Sequence, residues 1–93
     1  MSKREIIRTL EYIGYVNKFI NEWSYGSSYI SFLKIKKENY LRLGYTVIGS
    51  SRYNSDPIPL KCVSPELLYN DILSKYPGLS GKIRSYKLGK IIK

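Results

Sequence analysis

The chain has 93 residues, 16 Lys and Arg against 7 Asp and Glu, and a formal charge of +9. Such a length makes one small domain, and such a charge excludes an acidic mimic of nucleic acid and points to an anionic partner. The absence of histidine and the single cysteine, Cys62, exclude an internal disulfide and any cysteine-based zinc site, so no metal or other cofactor is expected.

In chain order, residues Ser2 to Trp23 read as a helix. Ser2 is its N-cap with Glu5 as capping-box partner, and Ile6, Leu10, Ile13, Val16, Ile20 and Trp23 form one apolar stripe. Tyr12, Tyr15 and Phe19 widen that face, which also offers a surface for a homodimer. Gly14 costs such a helix about 1 kcal/mol. Ser24 to Ser28 breaks the pattern, and Tyr29 to Ile35 reads as a strand ending in Lys36-Lys37. Lys37 to Leu43 has an alternative reading as a short helix stopped by Gly44. Tyr45 to Ile48 is a strand by composition. After a polar loop from Gly49 to Pro57, Ile58 to Val63 reads as its antiparallel mate, with Pro59 placing that mate at an edge. Cys62, in this stretch, is expected to be a buried thiol.

Ser64-Pro65-Glu66 then starts a helix that buries Leu67, Leu68, Ile72, Leu73 and Tyr76 and closes at Tyr76-Pro77-Gly78. Gly81 and Ser85 bracket the start of a last helix, with Leu88, Ile91 and Ile92 facing inward. The expected fold is α+β in one domain, residues 1–93. It comprises an N-terminal helix, a small antiparallel sheet of two or three strands, and two C-terminal helices in a helix-turn-helix-like, winged-helix-like arrangement.

The charge is not spread evenly. Asp71 is the last acid, and Lys75, Lys82, Arg84, Lys87, Lys90 and Lys93 follow it with apolar residues between them. An amphipathic helix with a basic face suits phosphate contact. Lys82, Arg84, Lys87, Lys90 and Lys93 would neutralise phosphates, with Ser85 and Tyr86 orienting the helix at its N-terminus. In a winged arrangement the loop after residue 48 would be the wing, and its Arg52 would enter a minor groove. The same helices also read as an ordinary hairpin with a solvated lysine face.

The run Leu67-Leu68-Tyr69, Tyr76 and Ser85-Tyr86-Lys87-Leu88-Gly89-Lys90-Ile91-Ile92-Lys93 resembles part of a known module. It is similar to the helix, loop and recognition helix of the winged-helix modules at the C-terminus of phage and plasmid primase-helicases. The resemblance covers about a third of the chain and implies DNA binding by Ser85, Lys87, Lys90 and Lys93. Members of that family continue into two strands and a wing after this helix. Here the strands around 45–63 would have to supply them.

Ten tyrosines and abundant Ile, Lys and Asn match the bias of AT-rich coding, as in small phage, plasmid or archaeal-virus proteins. The carboxylates show no pairing for acid–base work, no glycine loop cradles a phosphate, and no nucleophile has a base, so no catalytic residue is assigned. The expectation is a non-enzymatic DNA-binding regulator or replication accessory of a mobile element, with DNA ahead of RNA as partner. One alternative is a viral protein that inhibits a host defence or transcription complex, its basic face set on an acidic host protein. Another is a single-strand binder that stacks bases on Tyr29, Tyr45 and Tyr53 beside Lys34, Lys36 and Arg52. No apolar run nears the ~20 residues of a membrane span, and the cysteine usage suits a reducing compartment. A cytoplasmic place without membrane contact is therefore expected, in the host cytoplasm if the protein is viral.

Overall fold

Helix α1 (Lys3–Ile13) begins on local chemistry alone: Ser2 Oγ accepts the Glu5 N–H at 3.2 Å, and Glu5 Oε1 accepts the Ser2 N–H at 3.4 Å. It buries Ile6, Thr9, Leu10 and Ile13. It ends where Gly14 takes φ 121°, a conformation few other residues adopt, with its N–H returned to the Leu10 carbonyl. The computed structural model describes residues 1–46 and 52–92, with the backbone only for 90–92.

The helix expected to run on to Trp23 is instead a hairpin after Gly14. Strand β1 (Val16–Phe19) and strand β2 (Glu22–Tyr25) are antiparallel, joined through Asn21 at φ 61°. The side chain of Asn17 donates to the Phe19 and Glu22 carbonyls and braces the irregular register there. Val16 and Ile20 matched the helical stripe by spacing but lie in water, Ile20 at 92% exposure, while Trp23 reaches the core from β2.

Strand β3 (Ser28–Ile35), strand β4 (Glu38–Thr46), strand β5 (Arg52–Asn54) and strand β6 (Ile58–Pro59) complete a six-stranded sheet. The order is β1-β2-β3-β4-β5, all antiparallel, and β6 pairs with Tyr40 and Leu41 farther along β4. The chain is thus α+β with one helix before the sheet and two after it, but its sheet exceeds the expected two or three strands. The missing strands have identifiable causes. Lys36 and Lys37 both adopt positive φ, 49° and 70°, and form the two-residue turn between Ile35 and Glu38. A type I′ turn usually carries Asn or Gly, so Lys-Lys gave no turn signal, and the expected helix over 37–43 is a turn residue followed by strand from Glu38. Residues 45 and 46 pair with β5 instead of the 58–63 segment. Of that segment only Ile58–Pro59 is strand, and Leu60–Cys62 is a 3-10 turn. Residues 47–51, which include the tip of the expected wing, lie outside the described residues.

The helices cover one face of the sheet. Trp23, Ile30, Phe32 and Leu41 point into the core beside Ile6, Leu10 and Ile13, with Trp23 edge-on to Phe32 at 5.6 Å. Helix α2 (Pro65–Lys75) is capped by Ser64, whose Oγ accepts the Leu67 N–H, and buries Leu68, Tyr69 and Ile72. Its end is fixed by Lys75, which donates to the Gly44 carbonyl and to Asp71, both at 3.0 Å. The terminal amine of Met1 donates to the Val63 carbonyl, so α1 and α2 start side by side. At their other ends Tyr15 shares a hydrogen bond with Ser28, and Tyr76 accepts the Ser27 N–H. Burial pushes the Tyr15 hydroxyl up to about 12, whereas the Ser27 hydroxyl and N–H hold that of Tyr76 below the usual phenol range.

Helix α3 (Ser80–Ile92) follows a 3-10 turn, Pro77–Leu79. It starts earlier than the bracket at Gly81 and Ser85 implied. It buries Ile83, as the preceding turn buries Leu79, but not Leu88, which is 52% exposed. It packs on α1 as well as following α2, and the sheet beside it is not the small one expected: Tyr86 packs on Tyr12 at 5.0 Å and bonds Thr9 at 3.2 Å. Cys62, expected inside, is exposed at the end of its 3-10 turn. Cys62 is therefore expected to react with a thiol reagent in the native protein about as fast as in denaturant; strong native protection would contradict its exposure.

Candidate nucleic-acid interface

Helix α3 contacts both other helices. Tyr86 holds it to α1, and the Lys87 ammonium sits 4.7 Å from the Tyr69 ring of α2. Its sequence, SGKIRSYKLGKII, contains Lys82, Arg84, Lys87 and Lys90 and no acid. Lys82, Arg84, Ser85 and Lys87 are exposed. Between described residues the ion pairs are Arg52–Glu22 and Lys75–Asp71, so no described carboxylate neutralises Lys82, Arg84 or Lys87.

The cations of α3 differ in what they touch. Lys82 reaches back to Gly14, where it supplies a positive charge to an α1 C-terminus whose own last turn has none. Lys87 spreads over Tyr69, and Arg84 projects outward with Ser85 and Leu88. At the N-terminal end of α3 a shallow hollow is lined by Tyr12, Gly78, Gly81, Lys82 and Ser85. A Cβ on Gly78 or Gly81 would meet nothing within 4 Å, so the backbone there is open to a ligand. Positive helix end, ammonium and hydroxyl converge on that hollow, a combination suited to an anion.

Two of the expected contact residues play other parts. Tyr86 is turned inward, its ring on Tyr12 and its hydroxyl on Thr9. Ser85 is in the second turn of α3, so its hydroxyl, rather than a free backbone N–H, is what it offers. The side chains of Lys90, Ile91 and Ile92, and the whole of Lys93, lie outside the described residues.

Arg52 is on the opposite side of the molecule, on the sheet face without helices. Its guanidinium carbon lies 3.9 Å from the centre of the Tyr29 ring, and Nη2 donates to Glu22 at 3.0 Å. That ion pair links β5 to β2 across the two strands between them, so the sheet is curled and its free face is concave. Beneath the cation the Tyr29 ring lies flush on Gly44: a Cβ there would fall 2.7 Å from Cε2 and closer still to Cζ and the hydroxyl. The Tyr29 hydroxyl is bound to the Asn54 side chain. The tyrosines proposed as a common stacking surface are divided. Tyr29 is buried on the free face, while Tyr45 and Tyr53 stack on each other at 5.2 Å on the helical face.

The concave face holds residues that sequence reasoning missed, Lys18, Phe19 and Glu22, because they were assigned to a helix. The Gly14 stop and the β-branched and aromatic residues after it were the only local signal. Among the described residues no three His, Cys, Asp or Glu side chains gather to hold a metal ion, and no helix is long and apolar enough to cross a membrane. Comparison with protein-family models, with curated proteins and with solved structures finds no match to this chain.

Proposed function

We propose that the protein is a non-enzymatic nucleic-acid-binding protein that grips the phosphodiester backbone with α3, as a regulator or replication accessory of a mobile element. The observation that carries this reading is the acid-free last helix: its exposed Lys82, Arg84 and Lys87 form no ion pair with another described residue, and its glycine-lined N-terminal hollow is open. Lys82 and Ser85 would hold one phosphate at that hollow, and Arg84 and Lys87 would follow the backbone along the helix. The helix has one arginine and no Asn or Gln for bidentate base contacts, which favours backbone contact with little sequence preference.

A salt series on DNA binding tests this. Three phosphate contacts give a plot of log affinity against log salt with a slope of roughly −3. An acidic host protein is the second reading, favoured by Leu88, which is exposed on the same side of α3 as Arg84. Absence of DNA binding at low salt would overturn the first reading and favour the second.

A further inference from the structure

We propose that the hollow on the free face of the sheet is a slot for one nucleobase of a single strand. It draws its class of ligand from the function proposed above, but its site is separate from α3. The walls come from opposite ends of the strand order, with Phe19 on β1 and Arg52 on β5, and the space between them is about 310 Å³.

Three features fit a planar, partly anionic ligand. The first is Arg52. One face of its guanidinium is against Tyr29 and one nitrogen is fixed by Glu22, yet the side chain remains 46% exposed. A ring stacking on the outer face of that cation finds it already oriented, so little side-chain freedom is lost on binding. The second is Phe19, an aromatic on an edge strand that is 59% exposed and lines the same hollow. No core contact accounts for it, and it supplies the opposing platform for a base. The third is polarity at the rim. Lys18 supplies a charge for the adjoining phosphate, and Ser24 and Thr46 supply hydroxyls for a base edge. A duplex keeps its base faces stacked and hidden, so only an unpaired base can enter.

The test titrates labelled strands against the wild-type protein, Phe19→Ala, Arg52→Lys and the double variant Arg84→Glu/Lys87→Glu. The strands are a 12-nucleotide single strand in DNA and in RNA form, its DNA duplex, and an abasic strand of equal length. Phe19 is exposed, so its removal leaves the core intact; Arg52→Lys keeps the charge and removes the planar face. Phe19→Ala and Arg52→Lys should each weaken the single strand roughly tenfold and leave the duplex and the abasic strand unchanged. The α3 variant should weaken all of them. That pattern for a strand of either sugar supports the slot. The slot is overturned if neither strand weakens, or if the duplex and abasic strand weaken equally, whereas an inert α3 variant overturns only the helix assignment.

Discussion

Arg84→Glu with Lys87→Glu is expected to lower DNA affinity roughly 100-fold near 0.1 M salt and to reduce the salt slope by about 2. Each reversal removes one phosphate contact and places a carboxylate where a phosphate would lie. The fold should hold, because both residues are exposed and glutamate is a good helix former. The main structural loss is the contact of Lys87 with Tyr69, about 0.5–1 kcal/mol. The control is Lys34→Glu with Lys61→Glu, two exposed lysines away from α3 that give the same change in net charge. An equal loss in the control would mean that overall charge, rather than this helix, attracts the DNA.

Gly44→Ala should cost about 2 kcal/mol or more, a fall in Tm of about 10 °C for a domain of this size. The added methyl would displace a ring that has no room to retreat: Arg52 lies over it and Asn54 holds its hydroxyl. In a Tyr29→Leu background the same substitution should cost less than 1 kcal/mol, since the ring is gone. Thermal unfolding of the four proteins gives the coupling directly. Additive losses would show that Tyr29 does not rest on Gly44, and the support for Arg52 would go with it.

What could be read from the sequence was local chemistry. Ser2 with Glu5, and Ser64-Pro65-Glu66, set two helix starts because a cap needs only residues within one turn. The acid-free charge of the last helix was equally plain. Its orientation was not. Leu79, Ile83 and Tyr86, spaced four and three apart, form the inward stripe, whereas the sequence reads Leu88 as inward and Tyr86 as a contact residue, because only the fold places α1 against Tyr86. The sheet was underestimated because Val16, Ile20 and Trp23 kept helical spacing through a hairpin and because Lys36-Lys37 is an uncommon turn. The concave face depends on residues from five strands, and nothing short of the fold brings Phe19, Tyr29 and Arg52 together.

In strands β1 to β5, each neighbour in the sheet is also the neighbour in sequence, so pairing can advance hairpin by hairpin. The seam of α1 with α3 is different: Thr9 meets Tyr86 across a separation of 77 residues. Closing so long a loop gains little until the sheet has brought the two ends near each other. The helix with the largest net positive charge is therefore expected to dock last and to leave first. Hydrogen exchange should show this order, with α3 amides exchanging through an opening that leaves the β3–β4 ladder protected. If α3 and that ladder exchange together, the helix is part of the global unfolding unit. If they separate, the protein can release its basic arm without losing its sheet.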